Sequence, residues 1–190
     1  MNRSSVKAVV IGGSAGALQA LSIILRDLPA GYGLPIFIAV HLPPGRKSVL
    51  AEVLQSKCQI TVSEAQDKEP IFAGTAYVAP PDYHLLIEKD GTLALSSDEP
   101  IFYSRPALDV LFESAADAYG PSLVGVVLSG ASGDGAKGLK SIENAGGVAI
   151  VEDPGAAYAS TMPMAALNAC SGAKSFSLDQ LAEYLKSLSA

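Results

Sequence analysis

The stretch Lys7 to Leu28, KAVVIGGSAGALQALSIILRDL, constrains the fold more than any other part of the chain. Ala8 to Ile11 is a short apolar run rich in β-branched residues, which predicts a buried strand. Gly12 to Gly16 follow without a bulky side chain among them. Leu18, Leu21, Leu25 and Leu28 then recur at spacings of three and four, an apolar helical stripe that Pro29 ends. Strand, small-residue turn and helix form the unit that presents its turn at the C-terminal edge of a parallel sheet.

Two chemistries use that unit. A dinucleotide site needs G-x-G-x-x-G so that the backbone can approach a pyrophosphate. The frame that starts at Gly12 requires glycine at 14, and this chain has Ser14. A nucleophile elbow needs G-x-S-x-G, which Gly12-Gly13-Ser14-Ala15-Gly16 satisfies in full. Its flanking glycines permit a tight turn, and the helix behind offers free N–H groups to a developing oxyanion. A plain Gly/Ser connection between strand and helix is the competing reading.

The remaining apolar runs set the fold class. Pro35–Val40 and Gln59–Glu64 read as strands, with a short helix over Ser48–Ser56 between them. Thr75–Ala79, His84–Lys89 and Thr92–Ser96 read as short strands of an antiparallel excursion, the last two joined by Asp90-Gly91. Ser104-Arg105-Pro106 opens a helix, with Pro106 in its first turn and Leu108, Leu111, Phe112, Ala115 and Tyr119 facing inward. Leu123–Leu128 and Val148–Val151 are strands, each followed by a helix, and Ser177 to Gln180 is a capping box for a final helix. The expectation is one domain over residues 1–190. Its class is α/β: a doubly wound, mostly parallel, Rossmann-like sheet in three layers with an antiparallel hairpin excursion.

Composition removes several functions. The chain has 190 residues and a net charge of −6, with a pI near 4.8. No basic run offers a surface to nucleic acid or an anionic membrane. Cys58 and Cys170 lack metal-type spacing and read as reduced. Arg3 and Lys7 before an uncharged stretch to Leu25 imitate a signal peptide, but strand, turn and helix account for that stretch better. A cytoplasmic protein without membrane insertion is expected.

A serine nucleophile needs a base and a group to orient it. Only His41 and His84 are available. His41 ends the strand after the one that delivers Ser14, and neighbouring strands lie about 4.8 Å apart. The strand Leu123–Leu128 is expected on the other side of the first, which brings Asp134 to the same crevice. Each residue has a plainer use. His41 could bond a loop carbonyl, and Asp134 could cap a helix. Asp153 is a rival acid and His84 a rival base. Arg105 either pairs with Asp109 on a helix surface or offers a cation to an acidic substrate. The spacing points to a serine hydrolase.

IGGSAGALQAL, VHLPPG, YVAPPDYHL, SRPALDVLF, VVLSGASGDGAKGL and TMPMAAL occur in that order along nearly the whole chain. Together they resemble the catalytic domain of chemotaxis protein-glutamate methylesterases, the CheB type. The resemblance implies that Ser14 attacks a glutamate methyl ester on a chemoreceptor cytoplasmic domain, with His41 as base and Asp134 orienting it. It implies glutamine deamidation by the same route, and neither metal nor organic cofactor. It also places Ala15, Gly16, Gly130 and Ala131 at the oxyanion pocket and Arg105 and Met162 along the cleft. Ala17, Ala131 and Ser132 depart from the family's usual residues, two of them in the loop before Asp134. The known members carry a receiver domain ahead of this one. This sequence opens at the catalytic strand: as a complete chain it would have an open site or be controlled by a separate regulatory protein, and as a domain excised from a longer chain it would carry neither expectation. The alternatives are a non-catalytic, receptor-binding homologue and an esterase for another protein or a small ester.

Overall fold

Strand β1 (Ala8–Gly13) runs through the middle of the molecule and is buried along its whole length. The computed structural model describes residues 6–45 and 47–188; Arg3, part of the signal-like pattern, lies outside them. Because side chains alternate across a strand, Val9 and Ile11 enter one hydrophobic core while Ala8 and Val10 enter another. That double burial explains why the run is continuously apolar rather than alternating.

β1 is flanked by β2 (Ile36–Val40) and β7 (Leu123–Val127), both parallel to it. Beyond β7 lie β8 (Val148–Glu152) and β9 (Lys174–Phe176), and beyond β2 lie β4 (Thr75–Val78) and β3 (Thr61–Glu64). The order of this parallel sheet is β3-β4-β2-β1-β7-β8-β9. Helices α1 (Ala17–Arg26), α2 (Leu50–Gln55) and α6 (Leu178–Ser187) cover one face. Helices α3 (Leu108–Tyr119), α4 (Ala136–Asn144) and α5 (Thr161–Ala169) cover the other, with the hairpin β5 (His84–Ile87) and β6 (Leu93–Ser96) beside them. This is the three-layer, doubly wound architecture with an antiparallel excursion. Strand order reverses at β1, so β1, β2 and β7 meet at the switch-point crevice.

Four local expectations change. Thr75–Ala79 is not part of the antiparallel excursion, because β4 inserts between β2 and β3 and pairs in parallel with both. No helix joins β3 to β4, so the sequence lacks the rhythm that marks a parallel crossover. Leu18 is 42% exposed, and the inward stripe of α1 is Ala17, Ala20, Leu21, Ile24 and Leu25. Pro106 precedes α3 rather than entering it: the Arg105–Pro106 peptide is cis, Ala107 is extended, and the helix starts at Leu108. Its first turn is capped by Asp134, 26 residues downstream, which no local pattern announces. β9 is a further strand, too short to carry a periodic signal. The capping box at Ser177 and Gln180 forms as expected.

Candidate active site

The end of β1 is suspended between its two neighbours. The Gly13 carbonyl accepts the His41 N–H at 3.2 Å, and the Ser14 N–H donates to the Ser129 carbonyl at 2.8 Å. The Ser14 carbonyl accepts the Ala17 N–H at 3.0 Å, which turns the chain into α1. Gly16 completes the elbow with φ of 86°, a conformation that side chains with a Cβ rarely adopt. A Cβ at Gly16 would also stand 2.7 Å from Tyr158 Cβ. The elbow expected from G-x-S-x-G is present, and its glycine is required at 16.

His41 follows β2 and turns its Nε2 edge to Asp134 Oδ2 at 2.7 Å. Asp134 has no exposed surface. Its Oδ2 also accepts the Leu108 N–H at 2.7 Å, and its Oδ1 accepts the Asp109 N–H at 2.9 Å. Two free N–H groups at the start of α3 therefore help offset the cost of a buried carboxylate. Asp134 does cap a helix, but the helix is α3 rather than its own.

The reciprocal cap comes from Asp109. Its Oδ1 accepts N–H groups from Gly135 at 3.0 Å and Gly138 at 2.7 Å, at the start of α4. Asp109 is buried, so it does not pair with Arg105 on a helix surface. Desolvation, which outweighs the hydrogen bond from Gly138, and the neighbouring Asp134 push its carboxyl above the usual range. Folding therefore favours protonated Asp109. Its stability contribution is complete below the ordinary aspartate value of about 3.9 and is lost as pH rises through the raised one. Asp109→Asn keeps an oxygen acceptor at this position and removes that loss. Denaturation curves should show the variant gaining on wild type as pH rises above the ordinary aspartate value, and a pH-independent difference would contradict the assignment.

His84 is not free to act as a base. Its Nδ1 accepts the Ala107 N–H at 3.2 Å, so its Nε2–H donates to the Glu99 carbonyl at 3.1 Å. The ring fastens the approach to α3. His84→Ala should cost about 2–4 kcal/mol in a thermal or urea melt through lost packing and unpaired backbone groups. The folded fraction should keep its kcat. A loss of kcat equal to that of His41→Ala would reverse the choice of base. Asp153, the rival acid, closes its own turn by accepting the Gly155 N–H at 2.9 Å.

A cavity of about 670 Å³ opens at Ser14, Ala15, Gly16 and His41 and runs between α1 and α2 past Leu18, Val49 and Tyr158. Lys47 is on its wall, and no carboxylate is among its described lining residues. Gly130 lies against the nucleophile, since a Cβ there would be 3.0 Å from Ser14 Cβ. Its N–H is already committed to the Ala159 carbonyl at 3.0 Å, which removes it as an oxyanion donor. Ala131 is exposed beside it. Met162 is fully buried beneath this loop, with its N–H on the Gly130 carbonyl at 2.9 Å, and supports the loop from below. Arg105 is not among the residues lining the cavity. Its Nη1 donates to the Ser97 and Asp98 carbonyls at 2.7 and 2.9 Å. Ser129, Glu152 and Tyr158 were not singled out by sequence. Only the polar residue ending an apolar strand, at Ser129 and Glu152, could have drawn attention to them.

An elbow serine, a histidine and a buried aspartate lie together at the switch point of a doubly wound, Rossmann-like sheet, and the class of protein that this fold belongs to is a hydrolase. The chain belongs to the CheB methylesterase family, whose family model matches residues 9–185. It is 46% identical over 177 residues to a Leptospira interrogans protein, covering 93% of this chain and 92% of that one. That protein's name assigns it, provisionally, protein-glutamate methylesterase and protein-glutamine glutaminase activity. A Trichodesmium erythraeum protein named protein-glutamate methylesterase/protein-glutamine glutaminase is 39% identical over 178 residues, which are 92% of this chain but 51% of that protein. The crystal structure of the Thermotoga maritima CheB methylesterase catalytic domain superposes with a TM-score of 0.91 at 34% identity, covering 97% of this chain and 99% of that one.

Proposed function

We propose that this chain hydrolyses glutamate methyl esters on the cytoplasmic domains of chemoreceptors, and deamidates glutamines there by the same route. The observation that carries the reading is the His41 Nε2 contact to the fully buried Asp134 at 2.7 Å, made by a histidine that shares a cavity wall with Ser14. Asp134 accepts from Nε2–H, and this selects the tautomer whose lone pair is on Nδ1. Ring nitrogens are thus used in the reverse of the usual serine-protease order.

Ser14 Oγ attacks the ester carbonyl while its proton passes to His41 Nδ1. The tetrahedral oxyanion collapses, and methanol leaves with that proton. Water, deprotonated by His41, then attacks the acyl-enzyme and frees the glutamate and Ser14. With a glutamine substrate, ammonia leaves in place of methanol.

Backbone geometry favours two of the four oxyanion candidates. In a trans peptide the C=O and N–H point in opposite directions. The Ser14 carbonyl faces Ala17 N–H in α1, so Ala15 N–H faces away from that helix. The Gly130 carbonyl faces Met162 N–H in α5, so Ala131 N–H faces away from that one. Ala15 and Ala131 are therefore the donors assigned here, and Gly16 shapes the turn. The cavity far exceeds a methyl group and has a lysine with no carboxylate among its described lining residues, which suits an acidic protein segment on the acyl side. Among the described residues no helix is long and apolar enough to cross a membrane.

The test is methanol release from methylated receptor cytoplasmic fragments by wild type and Ser14→Ala. Release that depends on the Ser14 hydroxyl supports the reading. A folded wild type that releases no methanol from this substrate overturns it.

A further inference from the structure

One buried side chain reaches the nucleophile from behind. Ser129 follows β7 and is 1% exposed. Its carbonyl accepts Ser14 N–H at 2.8 Å, and its hydroxyl donates to the Ala15 carbonyl at 2.7 Å. The same Oγ accepts Ala159 N–H at 2.8 Å. Its own N–H donates to Glu152 Oε2 at 2.7 Å, from a side chain at the end of β8 that is itself buried. Ser129 is not among the residues lining the cavity at Ser14, so it acts on that cavity through the elbow.

The elbow needs such a hold. The Ser14–Ala15 peptide bears both the nucleophile and the Ala15 N–H, and the peptides on either side of it decide its orientation. Ser129 holds both neighbours, one through Ser14 N–H and the other through the Ala15 carbonyl. The second neighbour is the vulnerable one. Its far residue is Gly16, where a Cβ would meet Tyr158 at 2.7 Å and Ser129 Oγ at 3.0 Å. Glycine is therefore required, yet glycine also lets φ change sign at little cost. A flip of the Ala15–Gly16 peptide would turn the chain beside Ser14 without unfolding anything. The Ser129 hydroxyl is the group that opposes it.

We infer that Ser129 is a positioning residue for hydrolysis, which fixes the Ala15–Gly16 peptide through its hydroxyl and is held in turn by Glu152. This rests on Ser14 being the nucleophile. The backbone bond to Ser14 N–H is available to any residue at 129, so the hydroxyl is what the chemistry depends on.

The experiment compares wild type, Ser129→Ala and Ser129→Thr. Its readouts are kcat and KM for methanol release, the rate of covalent labelling by a fluorophosphonate, and the melting temperature. In labelling, the Ser14 Oγ–P bond forms, P–F breaks, fluoride leaves and His41 takes the serine proton. A misplaced reacting group or oxyanion donor costs about 10²-fold. Ser129→Ala should lose kcat and labelling rate by about that factor with KM within twofold, and Ser129→Thr, which keeps the Oγ, should recover most of both. Should the alanine variant fail to fold, Ser129→Cys keeps the volume with a much weaker donor and carries the same comparison. Wild-type values in the folded alanine or cysteine variant would overturn the positioning role and leave Ser14 as nucleophile. So would a fall confined to the melting temperature or to KM. A wild type that neither labels nor releases methanol would remove the nucleophile assignment itself, and the positioning role with it.

Discussion

Ser14→Ala is expected to lower kcat for methanol release by about 10⁴–10⁶-fold, because the loss of one triad member costs nearly as much as the loss of all three. KM should change little, since the hydroxyl contributes to the transition state rather than to ground-state binding. The fold should not register the change. The bonds that shape the elbow are made by the backbone of Ser14, to Ser129 and to Ala17, and alanine keeps both. Ser14 lines the cavity and belongs to neither hydrophobic core, so the loss of its oxygen leaves no void in either. The unfolding free energies of variant and wild type should agree within about the 0.5 kcal/mol typical of a neutral substitution. Residual hydrolysis near wild-type level in a folded variant would place the chemistry elsewhere.

The path from sequence to this site was short where chain neighbours determine it. The elbow and β1 were legible because glycines, a serine and a β-branched run sit side by side. His41 was legible because a strand end next to β1 in a parallel sheet leaves few positions for it. Asp134 was found through the doubly wound topology, yet half of its role was hidden. Its contacts to Leu108 and Asp109 span 26 and 25 residues, and a cap supplied across such a distance leaves no motif. The same distance hides the burial of Asp109 from the sequence. An acidic residue in the first turn of a helix reads as exposed, whereas here two α4 amides pull it into the core. β4 was misplaced because its crossover lacks a helix, and Ser129 escaped notice because its bonds reach the elbow and the β8–α5 loop across the sheet edge.

Asp134 carries the second large effect, because one carboxylate serves both His41 and the start of α3. Asparagine keeps one oxygen and exchanges the other for an NH₂ group, while all three partners of the carboxylate are donors: His41 Nε2 and the N–H groups of Leu108 and Asp109. With the NH₂ at the Oδ2 position, it confronts both His41 and Leu108. His41 then answers with the tautomer that accepts at Nε2 and carries its proton on Nδ1, so it cannot take the proton of Ser14. A wrong tautomer of this kind lowers kcat by about 10⁴-fold. With the NH₂ at the Oδ1 position, the histidine is spared and Asp109 N–H faces a donor instead. Either way a buried backbone donor loses its partner at about 1–3 kcal/mol, or about 2–4 °C per kcal/mol for a chain of this size. Thermal melts and methanol release measured on the same Asp134→Asn preparation separate the cases. Loss of stability is the expected result in either orientation, and the loss of kcat reports the fraction of molecules with the NH₂ at the Oδ2 position. A variant that melts early yet keeps its kcat has its NH₂ at the Oδ1 position with His41 still on the amide oxygen, and one that melts with wild type would remove the capping role. His41→Ala is the control: it removes the base while leaving both α3 amides on the carboxylate, so it should match the kinetic loss without the same loss of α3 capping.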